Sequence, residues 1–141
     1  LYVKQNAWRM KITANVYSRL HQHEISVSTN ESAKTISIAP KVGGWGSSIN
    51  GGELLMLALA TCFCNDIYRE AAKKNIAVSG VEVRVTGDFG AEGEPGNNFT
   101  YTAEVKADAP DSVVRELIEE TDKLAEIHNT LRKGIPVTLV S

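Results

Sequence analysis

Between Leu54 and Cys64 the chain reads LLMLALATCFC, with Thr61 as its only hydroxyl and no charge. The run is built mostly of strong helix formers and has no wet side. It predicts a helix over roughly 53–74 whose first half is apolar all round, and such a helix is buried all round. Its second half, Asn65–Lys74, is polar and is expected at the surface. A chain of 141 residues is small for enclosing this helix alone, so a second copy is expected to cover one side, as a homodimer. The apolar run is too short for a bilayer, which takes about 20 residues.

Strands precede the helix. Residues 11–19 are rich in β-branched side chains, and residues 24–29 and 34–38 alternate polar with apolar around the turn formers Asn30–Ser32. This is an antiparallel meander with one wet face. A loop from Pro40 to Gly52 follows, carrying Gly43, Gly44, Gly46, Gly51 and Gly52 around Trp45. It lacks the Lys-Ser/Thr that would follow the last glycine of a phosphate-binding loop. After the helix, which Asn75 ends, residues 76–86 and 99–106 alternate as a strand pair. Pro110–Ala125 has one apolar stripe with Asp111 as its N-cap, residues 128–133 make a short turn or helical piece, and 135–140 read as a last strand. The fold class is α+β in a single domain over residues 10–141. Residues 1–9 read as an upstream segment, with Met10 as a natural start.

The near balance of 15 basic and 17 acidic residues leaves no cation excess for nucleic acid. Two cysteines, Cys62 and Cys64, point about 200° apart on a helix. A disulfide between them would break it, so both are expected reduced and the compartment cytoplasmic. His21 and His23 share a face of an extended segment but have no third ligand, so no metal and no cofactor is expected.

The stretch Gly51–Cys62 resembles the central helix of the OsmC/Ohr family, with a Glu-Leu-Leu start at Glu53 and a cysteine nine residues later. Residues 71–85 are similar to the family's helix-to-strand passage and Asn129–Val137 to its closing segment, so the resemblance spans residues 10–141. It implies an intertwined α+β homodimer, with antiparallel sheets wrapped around a long central helix and the active site at the subunit boundary. It implies reduction of organic hydroperoxides by a reactive cysteine, tuned by an arginine and a glutamate and closed into a disulfide by a resolving cysteine. Carried over, Cys62 takes the reactive position and Glu53 the glutamate. The resolving cysteine would fall at about Ala125, where this chain has none. The loop Pro40–Gly52 offers Lys41 but no arginine, which leaves Arg19 as a substitute.

Each candidate has a plainer role beside the chemical one. A reduced cysteine is most often a small buried apolar residue, and only as thiolate is it a nucleophile. Glu53 stabilises a helix start by its charge. Asp66, one turn after Cys62, would raise the thiol's pKa unless paired. His128 is either a donor or base for Cys62 or a histidine closing a helix. Cys64 is a second thiol or a packing residue, and Trp45 lines a pocket or packs on the core. Two functions follow. One is an OsmC-like hydroperoxide reductase with Cys62 as nucleophile and an external thiol reductant. The other is the same dimer with a degenerate site whose apolar pocket binds a small ligand.

Overall fold

The computed structural model describes residues 9–141. All of the expected upstream segment except Arg9 lies outside them. Two compact units make up the chain, the first running to Asn50 and the second from Gly51 to Ser141.

The first unit is the expected meander. Strands β1 (Ile12–Arg19), β2 (Gln22–Thr29) and β3 (Ser32–Ile36) lie side by side in that order, antiparallel, with Ile12 opposite Thr29 and Ile25 opposite Ile36. The β1–β2 turn is tighter than the sequence suggests. His21 adopts a left-handed φ of 59° and its N–H donates to the Gly44 carbonyl at 2.6 Å, so pairing resumes at Gln22. Gly44 must be glycine, because it has φ 88° and a Cβ there would stand 2.6 Å from the His21 ring.

The second unit holds the long helix α1 (Gly51–Lys73), the hairpin β4 (Val78–Asp88) and β5 (Asn97–Ala107), and the helices α2 (Asp111–Leu124) and α3 (Glu126–Lys133). Asn75 ends α1 as expected. It takes φ 54°, its N–H returns to the Ala72 carbonyl and that of Ile76 to Ala71, which closes the last turn in a Schellman arrangement. Packing centres on Phe63, Ile67, Ala71, Leu117 and Ala125, all buried, with Val81, Val83, Tyr101 and Val105 of the hairpin against them.

Within this chain the first half of α1 is buried at Leu59 and Phe63, while Leu57 is 59% exposed on the side where a second copy is expected. Three expectations are corrected. The polar second half does not surface as a whole, since Asp66, Ile67, Glu70 and Ala71 are buried. The helix therefore has its buried stripe in both halves, and its carboxylates are accommodated by ion pairs described below. Residues 135–140 alternate like a strand but have no ladder partner among the described residues and stand exposed, since strand pairing needs a second strand for its N–H and C=O groups. Asp111 does not cap α2. Pro110 occupies that position without a side-chain bond, and Asp111 lies inside the first turn. Among the described residues, no helix is long and apolar enough to cross a membrane.

Candidate functional site

Helical spacing puts Cys62, Asp66 and Arg69 on one stripe of α1, at i, i+4 and i+7. The junction between α2 and α3 meets that stripe. Ala125 is fully buried and extended (φ −68°, ψ 105°), so the chain breaks step for one residue before α3 starts at Glu126. The first N–H groups of a helix have no partner within it, and no side chain caps α3. The backbone N–H of Ile127 acts instead on the Cys62 thiol, favouring its ionised form. The thiol in turn donates to Asp66 Oδ2 at 3.4 Å, with Glu126 Oε2 at 3.9 Å.

Arg69 holds the acidic groups together. One guanidinium nitrogen, Nη1, reaches Asp66 Oδ1 at 3.2 Å and Glu126 Oε1 at 2.8 Å, and its Nε reaches Glu70 Oε2 at 2.7 Å. Lys73 adds a second cation to Glu70 at 2.9 Å. Burial pushes the Cys62 thiol above its usual range. The Ile127 N–H pulls it back, and the charges of Asp66 and Glu126 push it further up. Burial raises Asp66 as well, against the pull of its bond to Cys62 and of Arg69. Burial works against Glu126 too, but its own backbone N–H and Arg69 hold it below the ordinary carboxylate value. At neutral pH the resting site thus holds a protonated thiol that donates to Asp66.

Arg69 is the keystone of this charge balance, and its removal should be read by pH. Arg69 and Lys73 lower the carboxyl of Glu70. A group lowered on folding stabilises the fold above its unfolded pKa and loses that contribution as pH falls through the folded value. The Arg69→Gln variant should be about 1–2 kcal/mol less stable at pH 7, a discounted figure because the arginine side chain is 39% exposed. The gap to the wild type should close as the solution is acidified below 4.5, the ordinary value for Glu70, because neutral carboxyls no longer need the cation. Urea melts of both proteins from pH 7 to pH 3 check this; a gap constant with pH would contradict it.

The ligand atoms of Cys62, Asp66 and Glu126 all lie within 4.8 Å of one another, a spacing a metal ion can use. Arg69 already binds both carboxylates and supplies the positive charge that a metal would bring.

The other sequence candidates are distributed more widely. Glu53 lies in the first turn of α1, nine residues and roughly 13 Å along the axis from Cys62. Cys64 faces a different side, in a recess with Ala60, Asn65 and Val83. His128 does not turn to the thiol. Its ring packs on Tyr101 and Phe63, with centroids 4.6 and 5.6 Å away. In the first unit, Trp45 stands 62% exposed rather than packed on a core. Arg19 lies over the Tyr17 ring at 5.5 Å.

The arrangement of a long helix bearing a thiol, a hairpin laid on it and a broken helix meeting the sulfur can be set against known proteins. A family model described as OsmC-like protein matches residues 44–140. The chain belongs to the OsmC-like family. Its fold is found in an OsmC-like protein of Mycoplasma pneumoniae, with TM-score 0.60 and 22% identity over 94% of this chain and 98% of that one. An organic hydroperoxide resistance protein OsmC of Legionella pneumophila gives 0.57 and 17%, over 92% and 94%. The organic hydroperoxide resistance protein OhrB of Bacillus subtilis gives 0.52 and 19%, over 94% and 97%. No curated protein matches. At these identities the likeness speaks for the fold.

In this OsmC-like chain, sequence reasoning missed Arg69, Glu70, Glu126 and Ile127. Arg69 could have been found, since it stands two turns from Cys62 on the face already marked by Asp66. Glu126 and Ile127 come from another helix and carried no local signal.

Proposed function

We propose that the chain reduces organic hydroperoxides, with Cys62 as nucleophile and an external thiol as reductant. The observation that carries this is the hydrogen bond of the Cys62 thiol to Asp66 Oδ2 at 3.4 Å, made where the Ile127 backbone favours the ionised sulfur. A nucleophile needs a base to take its proton and a donor to hold the resulting charge. Asp66 serves as the base, and its burial-raised pKa suits it to that role. The sulfur attacks the distal peroxide oxygen as its proton passes to Asp66. The S–O bond forms and the O–O bond breaks. The departing alkoxide takes the proton from Asp66 and leaves as an alcohol. Sulfur is oxidised to the sulfenic acid and the peroxide is reduced.

Resolution comes from outside. Ala125 adjoins the two residues that touch Cys62 and carries no thiol, and Cys64 lies in a different recess. An external thiol condenses with the sulfenic acid and releases water, and a second thiol frees Cys62 by exchange. A second subunit over the exposed side of α1, where Leu57 stands open, would dry the site in the manner of an intertwined dimer.

Asp66→Asn separates the two effects of this carboxylate. In the wild type, alkylation of Cys62 by iodoacetamide should be half-maximal above pH 9.0, the ordinary thiol value. Without the charge of Asp66 that midpoint should move down, and alkylation at pH 7 should run several-fold faster. Peroxide reduction should nevertheless fall roughly 100-fold, the usual scale of a lost general base. If both rates rose together, Asp66 would have no part in proton transfer.

A further inference from the structure

The second unit contains a recess of about 260 Å³ that does not include Cys62. Leu59 of α1, Val85 and Phe99 of the hairpin and Leu131 of α3 make its walls, and Tyr101, His128 and Arg132 bring polar groups to it. A cavity of ~150 Å³ already accommodates benzene, so this one takes a ring or a short chain with a polar group attached. Mostly apolar walls with a few polar groups on one side are the usual form of a small-molecule site.

The polar side has an unfilled requirement. His128 is 6% exposed and neither ring nitrogen has a hydrogen-bond partner. A buried unsatisfied polar atom costs about 1–3 kcal/mol. The neighbouring groups do not meet the need. The Tyr101 hydroxyl donates to Asp122, and Arg132 pairs with the same carboxylate at 2.7 Å. That pair sums to zero charge. Burial and then Arg132 lower the pKa of His128, so its ring is neutral at neutral pH and offers one donor and one acceptor. A half-turn about its Cβ–Cγ bond exchanges each nitrogen with a carbon while leaving the ring outline unchanged. A ligand in the recess can thus select the orientation that presents a nitrogen.

We infer that this recess binds a small neutral alcohol, with the apolar body against Leu59, Val85, Phe99 and Leu131 and the hydroxyl on the imidazole of His128. A hydroxyl both donates and accepts, as the neutral ring does. Arg132, the charged residue of the lining, is already paired with Asp122, so neither a carboxylate nor an ammonium gains a free counter-charge there. The site is separate from the thiol chemistry and stands or falls without it.

Benzyl alcohol and toluene, nearly the same shape with and without the hydroxyl, are the probes. Titrations followed by NMR should give saturable binding of benzyl alcohol, with shifts at the ring nitrogens of His128 and at the methyl groups of Leu59, Val85 and Leu131. Toluene should bind about tenfold more weakly, the worth of one hydrogen bond. His128→Phe keeps a ring in place and should erase the preference. Cys62→Ser should leave the benzyl alcohol affinity unchanged, whatever its effect on peroxide. Should the Phe variant not fold, the imidazole nitrogen shifts of the wild type decide alone. The inference is overturned by absence of saturable binding, by equal affinities for the two probes in the wild type, or by shifts that spare His128.

Discussion

Replacing Cys62 by serine should lower the reduction of an organic hydroperoxide, with dithiothreitol as reductant, by at least about 100-fold. Removing a catalytic nucleophile elsewhere costs far more than that, so the figure is a floor. Serine keeps the size of the side chain and a hydrogen bond to Asp66, so the fold should survive; thermal melting checks that it has. A hydroxyl is a poor nucleophile toward peroxide oxygen, and Asp66 is too weak a base to ionise it. Cys64→Ser is the matched control. Its side chain lines a separate recess with Ala60 and Asn65, and peroxide consumption should stay within about twofold of the wild type if resolution is external, as the exchange chemistry allows. Equal losses in the two variants would mean that the thiols act as a pair, which their placement on the helix opposes.

The largest effect on stability should come from Phe63→Ala. Phe63 has no exposed surface and meets Tyr101 edge-on at 4.8 Å and His128 at 5.6 Å. It therefore joins α1, the hairpin and α3, and its neighbours in the core include Leu117 and Ala125 of the third contact, α2 and the break that follows it. Truncating a buried phenylalanine costs about 3–5 kcal/mol, and the cavity left adds to the lost transfer energy. Denaturant unfolding should lose that amount. Because Ala125 positions the junction that touches Cys62, the variant should also disturb the sulfur's surroundings. A loss under about 1 kcal/mol would be the cost of a surface change, and would mean that Phe63 is not the centre of this core.

Much of this architecture was legible in the residues. The β-branched content of β1 and the period-two alternation of β2, β3 and the hairpin gave the strands, although β1 and β3 stand exposed along their length. The apolar run gave α1, and Asn75 gave its end because asparagine tolerates the left-handed residue a helix terminus needs. The buried stripe of the helix's second half was not legible. Asp66 and Glu70 read as solvent-facing, and only the three-way grip of Arg69 and the help of Lys73 make their burial affordable. The pairs of Arg69 and Lys73 with Asp66 and Glu70 are local to the helix, but the pair of Arg69 with Glu126 depends on tertiary placement, which spacing alone does not encode.

The site was half legible for the same reason. Cys62 and Asp66 are neighbours by helical geometry, so sequence could find them together. In the sequence His128 reads either as a partner of the thiol, near the place of the absent resolving cysteine, or as a histidine closing a helix. The break at Ala125 instead gives Glu126 and the Ile127 N–H to the sulfur, and sends the imidazole to Tyr101 and Phe63. The closing segment 135–140 has the alternation of a strand, but alternation supplies only one side of a ladder. Pro136 also removes one donor from it.

The most direct test is intact-mass measurement of the reduced protein after a short exposure to one equivalent of cumene hydroperoxide, followed by peptide mapping with a sulfenic-acid trap. The account predicts gain of a single oxygen, carried by Cys62 and not by Cys64, and its removal by added thiol. An unmodified Cys62 while peroxide is consumed, or oxygen found first on Cys64, would contradict it.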